Sequence, residues 1–404
     1  MVCVYSNTHS DRRSKMPRGI CRERCCHCQG SSTKRHGILI LKTVTLQGIQ
    51  PRGIQRWYCK DCHRAFTPVH TANGPGKYAL EVYEKAVMLY FDQGASYRAV
   101  ARELHRMGIP HIDAKMCWSM IQTLASNCKN PWEVSLELNP QWSGYIAVDG
   151  DSVKIFNHRE SILLGADVES LDIPHLILAE HEDAENWLFF FIVLKNTLKY
   201  PLKGIVSDGD PAIESAVELV CPGIPHQFCV RHFQEGLHRY LRYESTHGRG
   251  TWRLIQRFED AVRMCLYASN LQEARMHLGV IQLDPEFRQI HLEDAIQLLE
   301  HNFDRLTQHF LHPGLPRTSN VAEGVIRKFD RRLNAMDSFG SHQTAWNTIK
   351  MLTLHTRFRT LTDCRRPHKH RNGFAPLELT NVNIQGLNWI RFSQRTDHNP
   401  PKAD

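Results

Sequence analysis

Two aspartates follow apolar, strand-like runs at separate points of the chain. Asp149 comes after 145-YIAV and Asp208 after 204-GIVS, and a glycine follows each of them. Two carboxylates held close together repel each other unless a cation bridges them or one is protonated. Oxygen ligands of this kind suit Mg²⁺, so the pair predicts a site for divalent metal. The alternative is that each Asp-Gly pair is an ordinary turn or cap.

A third carboxylate is expected from a helix that packs against the ends of those strands. Glu323, in 317-RTSNVAEGVIRKF, is the candidate. The Ser/Asn-x-x-Glu spacing also fits a capping box, in which Glu323 would only reach back to a backbone N–H. Arg327 and Arg331 follow one and two turns later on roughly the same face, and they predict a basic track that leads away from the carboxylates.

Two Cys-x-x-Cys pairs near the N-terminus predict a second metal site. Cys25 and Cys28 form one pair and Cys59 and Cys62 the other, with the β-rich pieces ILILKTVTL and IQRWYC between them. Four thiolates on two knuckles joined by a hairpin are typical of a zinc ribbon. A module this small needs a bound metal to stabilise its fold. Three further residues could compete as ligands: Cys21, Cys26 and His27.

Basic residues surround these cysteines and suit a phosphate backbone, although a solvated surface is the alternative for any one of them. They are Lys34, Arg35, Arg52, Arg56, Lys60 and Arg64.

The elements that must position these residues can be predicted from the hydrophobic pattern. After the linker 69-VHTANGPG, residues 77–130 show three helical patterns with breaks at Gly94 and Gly108. They predict either a helix-turn-helix or an ordinary small bundle. In the helix-turn-helix, the third helix would expose a DNA-reading face; its residues would be Lys115, Ser119 and Gln122.

From residue 144 the pattern changes to three apolar β-rich runs, a buried helix, a strand, a helix and the strand PHQFCVRHF. This βββαβαβ order predicts a mixed sheet flanked by helices, with the first and fourth strands side by side. Residues 234–312 predict an all-helical block, and two more helices follow it. The last thirty or so residues, rich in Asn, Pro and His, predict a poorly packed tail.

Charge is distributed unevenly along the 404 residues. Residues 1–135 carry 20 Lys/Arg against 9 Asp/Glu, residues 136–324 carry 16 against 27, and residues 325–404 carry 14 against 6. Basic flanks around an acidic middle predict a polyanionic partner, and the acidic middle would then need cations where it meets that partner. Solvated surface is the alternative.

Cysteine and hydropathy patterns restrict the cellular setting. The 13 cysteines are an odd number, several in metal-binding spacings, which favours a reducing compartment over a disulfide framework. There is neither an apolar run of 18 residues nor a secretory signal, so we expect a cytoplasmic protein.

The family resemblance of the sequence rests on Trp187 and on the runs SDGDPAI, HQFCVRH and TSNVAE. The sequence resembles the mutator-type transposases, the group that joins plant Mutator-like elements to a large class of bacterial insertion-sequence transposases. The resemblance covers roughly residues 145–335. It implies a DDE recombinase with a ribonuclease H-like fold, in which Asp149, Asp208 and Glu323 are catalytic and hold Mg²⁺ or Mn²⁺. The helical block matches the family's insertion domain. Cys229 and His232 fall on its C-x-x-H. Cys229 could be a buried apolar residue and His232 a satisfied strand-end histidine; the other roles are structural or substrate-positioning near Asp208, or a zinc site.

Two features depart from the family pattern. Asp151 and Asp210 are alternative carboxylates two residues beyond each candidate, on the same face of a strand. The N-terminal cysteine module is not typical of Mutator-like proteins and resembles the zinc ribbons of other insertion-sequence transposases.

The residue patterns and the resemblance together predict the following domains: a basic tail 1–20, a zinc ribbon 21–68, a helix-turn-helix 77–130, a catalytic domain 144–335 with insertion 234–312, and basic helices and tail 336–404. The implied activity is metal-assisted phosphoryl transfer, which cuts element ends and joins them to target DNA. Partners would be double-stranded DNA, both terminal repeats and target, and a second copy of the chain in a homodimer or higher oligomer, in the prokaryotic nucleoid.

The sequence is also compatible with two other functions. One is a ribonuclease H-like nuclease or resolvase that cuts without joining. The other is a domesticated DNA-binding regulator that uses only the ribbon and the helix-turn-helix. Strand-transfer products would separate the first from a transposase, and metal-dependent cleavage would exclude the second.

Overall fold

The computed structural model describes residues 24–67, 77–246, 252–288, 290–336 and 338–395. The predicted basic tail, the linker 69–76 and Cys21 lie outside these residues. The chain divides into two compact units. The first comprises residues up to 86 together with 101–113, and the second comprises 87–100 and 114 onward.

The first unit contains a three-stranded antiparallel sheet. Strand β1 (Thr33–Thr45) pairs with β2 (Gly48–Cys59) through a tight turn, and β3 (Ala65–Phe66) pairs with the end of β2. The predicted hairpin between the two cysteine pairs is therefore present. Its core consists of little more than Trp57, Phe66 and the buried cysteines, so apolar burial alone stabilises it weakly.

Three helices follow where the pattern predicted them: α1 (Leu80–Phe91), α2 (Tyr97–Arg106) and α3 (Ala114–Ser126). Gly94 and Gly108 follow α1 and α2 with φ of 64° and 84°, a region in which glycine carries no steric penalty. A short helix, α4 (Pro131–Leu138), begins at a proline behind an Asn130 capping box.

A five-stranded mixed sheet forms the centre of the second unit. Its strands are β4 (Tyr145–Ile155), β5 (His158–Asp167), β6 (His175–Ala179), β7 (Gly204–Ser207) and β8 (His226–Phe228), in the order β6-β5-β4-β7-β8. Strands β4, β5 and β6 are antiparallel neighbours, whereas β7 and β8 run parallel to β4. The predicted meander that becomes parallel, with first and fourth strands adjacent, is confirmed.

Helices cover both faces of this sheet. Helix α5 (Ala184–Ile192), continued by a π-helical turn, and α6 (Pro211–Val220) bury one face against Ile146, Val148 and Ile205. Side chains alternate along a strand, so Ala147 and Asp149 point to the opposite face. There α12 (Asn320–Leu333) packs on β4 and β5.

The fifth predicted strand is shorter than expected. Strand β8 ends at Phe228, and α7 (Val230–Thr246) begins two residues later. Cys229 therefore lies at a strand-to-helix junction, and His232 lies in the first turn of a helix. The interpretation of His232 as a strand-end histidine is wrong, because the chain turns into a helix at Val230.

The predicted helical block is present and begins slightly earlier than residue 234. After α7 come α8 (Trp252–Leu266), α9 (Leu271–Leu283), α10 (Ile290–Leu306) and the short α11 (Gln308–Leu311). They share one apolar core that includes Phe258, Phe287 and Leu299. Within the described residues, none of the helices has the length and apolar character needed to cross a bilayer.

The C-terminal region is better packed than its composition predicted. Helix α13 (His342–Phe358) is buried over most of its length, and α14 (Trp389–Ser393) follows after irregular chain. Ala375, Leu377 and Ile390 are almost fully buried. The predicted loose tail is therefore wrong up to residue 395, because isolated apolar residues in a polar segment anchor it; residues 396–404 lie outside the described part.

Candidate active site

Asp149 lies on β4, and Asp208 directly follows the neighbouring parallel strand β7. Ala147 of β4 is in register with Val206 of β7, so two residues further on Asp149 is opposite Asp208. Asp149 does not end its strand, however: β4 continues to Ile155, paired with β5. Only the parallel pairing with β7 ends before it, at Ala147. Asp149 is therefore a buried strand residue and not a turn residue.

The turn alternative describes part of the geometry at Asp208. Gly209 has φ of 89°, and the Asp208 carboxylate accepts a hydrogen bond from the Asp210 backbone N–H at 3.0 Å. This turn redirects the chain from β7 into α6. It also holds the Asp208 carboxylate beside β4, so the turn and a ligand role are compatible.

Glu323 projects from the first turn of α12 toward Asp149. The capping box is absent: Ser319 is the N-cap residue, and it has no side-chain cap hydrogen bond. The Glu323 carboxylate instead pairs with Arg231, lies 3.6 Å from His232 Nε2 and 3.6 Å from Arg327. The capping interpretation of Glu323 is therefore wrong for this structure; its carboxylate accepts from the Ser319 hydroxyl at 3.4 Å and lies at the acidic site, paired with Arg231.

Burial and mutual repulsion disfavour the ionised carboxylates. Burial, reinforced by the charge of Asp208, raises the pKa of Asp149 to about 7, and burial also raises the pKa of Asp208. Asp149, His232, Glu323 and Arg231 line an open cavity of 340 Å³. Hard carboxylate oxygens that are poorly ionised without a counter-charge fit Mg²⁺ or Mn²⁺.

The two alternative carboxylates have different environments. Asp210 is the N-cap of α6, and its side chain accepts from the Ala212 N–H at 2.7 Å. Asp151 lies beside Asp330 of α12, and burial raises its pKa to about 6. Asp210 therefore has a sufficient local role, whereas Asp151 extends the acidic patch along β4.

The four cysteines of the first unit fit a zinc ion. Their Sγ atoms lie within 4.8 Å of one another, with 3.5 Å between Cys25 and Cys62 and 3.6 Å between Cys28 and Cys59. Zinc–sulfur bonds of about 2.3 Å in a tetrahedron require sulfur separations of about 3.8 Å. The competing Cys26 and His27 do not belong to this cluster of thiols, which favours Cys25 and Cys28 as the first ligand pair.

Comparison with known proteins assigns the family. Residues 77–359 match the family described as "Transposase, Mutator family". The chain belongs to the Mutator family of transposases. No curated protein gives a significant match to it.

One solved structure with detectable similarity is a chain of the "CryoEM structure of simian T-cell lymphotropic virus intasome in complex with PP2A regulatory subunit B56 gamma". The identity is 12%, the TM-score is 0.25, and the match covers 74% of this chain and 76% of that chain. At this TM-score, the likeness supports no conclusion about the transposase.

Cys229 and His232 of the transposase join the acidic site rather than standing apart from it. Hydrogen bonding to Cys229 raises the pKa of His232 to about 9, and the Ser319 N–H donates to Cys229 Sγ at 3.4 Å. One donor atom each of Cys229, His232 and Glu323 lies within 4.8 Å of the others. The pair therefore links the start of α7 to the start of α12.

The predicted DNA-reading face of α3 is only partly exposed. Lys115 and Ser119 are exposed, but Gln122 is 8% exposed and its amide donates to Thr348 of α13 at 2.9 Å. The assignment of Gln122 to this face is wrong, because α13 covers the C-terminal half of α3. Arg327 and Arg331 of α12 are both exposed, as expected.

Sequence reasoning missed two residues of the acidic site. Arg231 neutralises Glu323, and its signal was its place inside the Cys-x-x-His spacing. Glu182 lies against Gly150, accepts from Trp187 Nε1 at 3.2 Å, and has a pKa raised by burial. It comes from a loop, and no local pattern marks a loop glutamate as part of a site formed by distant strands.

Proposed function

We propose that this protein is a DNA transposase of an insertion sequence, which cleaves DNA at the element ends and joins the ends to target DNA. The observation that carries the proposal is the placement of Asp149 on β4 beside Asp208, which directly follows the adjacent parallel strand β7, with Glu323 of α12 close to Asp149. The strand order β6-β5-β4-β7-β8 supports a ribonuclease H-like catalytic domain over residues 144–335 with a helical insertion.

The chain's own residues would divide the work as follows. Asp149, Asp208 and Glu323 would hold two Mg²⁺ or Mn²⁺ ions, which, when bound, supply activation of water or a DNA 3′-hydroxyl and stabilisation of the leaving oxygen. Arg231 would hold Glu323 in position until metal and DNA enter. His232, whose pKa the hydrogen bond to Cys229 raises to about 9, would face the negative phosphodiester across the cavity as a cation.

DNA recognition would come from the rest of the chain. We propose that the ribbon of residues 21–68 binds zinc through Cys25, Cys28, Cys59 and Cys62 and contacts the phosphate backbone. A helix-turn-helix over residues 77–130 would read element ends through Lys115 and Ser119, and Arg327 and Arg331 would follow the strand beyond the active site. A homodimer or higher oligomer would hold the two ends in the cytoplasm.

The test is incubation of the purified full-length protein with Mg²⁺ or Mn²⁺ and duplex DNA carrying the ends of the element that encodes it. We expect strand cleavage at the ends and joined products with a target plasmid. Cleavage without joined products would favour a nuclease or resolvase. Binding of the ends without metal-dependent cleavage would favour a DNA-binding regulator.

A further inference from the structure

A second cavity, of 350 Å³, lies between α12, the C-terminal end of α13 and the turn after α1, all within the second unit. We call it the cationic pocket. Four basic side chains line it: Lys328, Arg331, Arg332 and Arg359. No role in the acidic site requires these charges, because they point into a different cavity from the one lined by Asp149 and Glu323.

Positive charge in the cationic pocket exceeds the negative charge. Its lining contains two acidic residues, Asp92 and Asp363, and Asp92 is already hydrogen-bonded to His355 at 2.5 Å. Among the described residues, no carboxylate lies within salt-bridge distance of Lys328 or Arg331. Burial lowers the pKa of Lys328. The charges of Arg359 and Arg331 lower this pKa further, whereas the charge of Asp363 raises it.

One wall of the pocket is held rigidly. Arg332 is 6% exposed, donates to the Ala95 carbonyl at 2.9 Å, and lies 3.3 Å over the Tyr90 ring. Lys328 is half-buried and is close enough to Arg331 and Arg359 for their charges to disfavour its own, so these three groups are costly to hold together unless an anion enters. A guanidinium group can donate two parallel hydrogen bonds to two oxygens of one phosphate. An ammonium group attracts the same phosphate as a point charge.

We propose that the cationic pocket binds a phosphate group, with Lys328, Arg331 and Arg359 as its ligands. In the proposed transposase this is a backbone phosphate of the bound DNA, and that part rests on the proposed function. Lys328 and Arg331 lie five and eight residues beyond Glu323 on α12. At 1.5 Å per residue they are about 8 and 12 Å along the helix axis, the rise of about two to four base pairs.

The first experiment tests the anion site directly with inorganic phosphate. Thermal melts of the wild type, Lys328→Gln and Arg359→Gln are compared in sodium phosphate and sodium chloride at equal ionic strength. We expect phosphate to raise the melting temperature of the wild type and not of either variant. Arg275→Gln, which removes the same charge from an exposed site on α9, should respond as the wild type does. An equal response in all four proteins overturns the pocket.

The second experiment asks whether the phosphate belongs to DNA. Duplexes bearing the element ends carry single neutral methylphosphonates, and binding is measured in EDTA so that no cleavage is required. We expect one position at which the neutral group weakens wild-type binding about tenfold but leaves Lys328→Gln unaffected, together with a salt slope lower by about one in that variant.

Identical methylphosphonate profiles in wild type and Lys328→Gln overturn the DNA assignment, and a response to inorganic phosphate alone would then assign the pocket to free phosphate. If the coupling is found but Mg²⁺ produces no cleavage by the wild type, the phosphate pocket stands and the transposase proposal fails.

Discussion

At the scale of single residues, the two aspartates of the acidic site are less well neutralised than its glutamate. Within the part of the chain that the structure describes, Asp149 and Asp208 have no basic partner as close as Arg231 is to Glu323. His232 is the nearby positive charge that favours their ionised forms. Such a site is unfavourable for the empty protein, and its retention is understandable if a cation binds there.

The three carboxylates should be intolerant of neutral replacements of the same shape. Asp149→Asn, Asp208→Asn or Glu323→Gln should each lower metal-dependent DNA cleavage by at least about a hundredfold, because each removes a charged oxygen ligand. DNA binding and the fold should be retained. The measurement is strand cleavage of element-end DNA in Mg²⁺, beside binding in EDTA.

Asp210→Asn is the matched control, since asparagine caps a helix as well as aspartate does and α6 would be preserved. If Asp208→Asn cleaves normally and Asp210→Asn does not cleave, then Asp210 is the metal ligand in place of Asp208. Normal cleavage by Glu323→Gln would place the third ligand elsewhere, with Glu182 as the next carboxylate to change.

The raised pKa of Asp149 predicts how the metal-free protein responds to pH. Between its unfolded pKa near 4 and its folded pKa of about 7, the native state binds more protons than the unfolded state, so stability falls as pH rises through this window. The contribution is at most about 1.4 kcal/mol per pH unit. Urea denaturation in EDTA at several pH values, on wild type and Asp149→Asn, measures it.

The Asp149→Asn variant should show a flatter pH profile, and Mg²⁺ should stabilise the wild type more at pH 8 than at pH 5. Parallel profiles for the two proteins would mean that Asp149 ionises normally.

The role of a residue could be predicted from the sequence only where a local sequence pattern indicated it. The positions after two apolar runs indicated Asp149 and Asp208, and cysteine spacing indicated the thiolate cluster. Gln122 was misassigned because helical spacing cannot reveal which half of α3 another helix covers. Arg231 and Glu182 were missed because their partners lie far away in the chain.

At the scale of elements, the sheet order follows from the sequence because a meander that turns parallel has few allowed topologies. Boundaries were less predictable. The run PHQFCVRHF has the pattern of a strand, yet only His226–Phe228 pairs, because the neighbouring strand β7 ends at Ser207, the partner of Phe228. The burial of α13 was also not predictable, since it depends on a buried ion pair between residues far apart in sequence.

That ion pair provides a test of how α13 is anchored. Arg357 and Asp172 are both fully buried, with two hydrogen bonds of 2.7 and 2.9 Å, and Asp172 also accepts from Trp142 Nε1. Asp172→Asn should cost about 3–5 kcal/mol of unfolding free energy, because it leaves the Arg357 charge buried without its counter-charge. Urea denaturation at neutral pH measures the loss.

The exposed pair Arg263 and Asp260 provides the control, and Asp260→Asn should change stability by less than about 1 kcal/mol. Similar small effects at both pairs would show that Arg357 finds other partners and that α13 is held by its apolar side chains alone.

At the scale of the whole molecule, two kinds of stabilisation coexist. The second unit has extensive apolar cores under its sheet and in its helical insertion. The ribbon has a core of a few residues around its cysteines. Its fold should therefore depend on metal in a way that the larger unit does not, and basic residues of the ribbon can bind DNA only while that fold persists.

Removing one zinc ligand should separate DNA binding from the stability of the larger unit. Cys59→Ser or Cys62→Ser leaves three thiolates, which a closed structural site cannot tolerate. We expect loss of one bound zinc per chain and weaker binding of element-end DNA, while the main thermal transition of the full-length protein stays unchanged. Cys26→Ser, in the same knuckle but exposed, should keep its zinc and its DNA affinity. A wild-type protein that contains no zinc and still binds DNA after chelation would exclude the ribbon as a metal module. A lower melting temperature of the main transition in the cysteine variants, together with weaker DNA binding, would show that the two units unfold together.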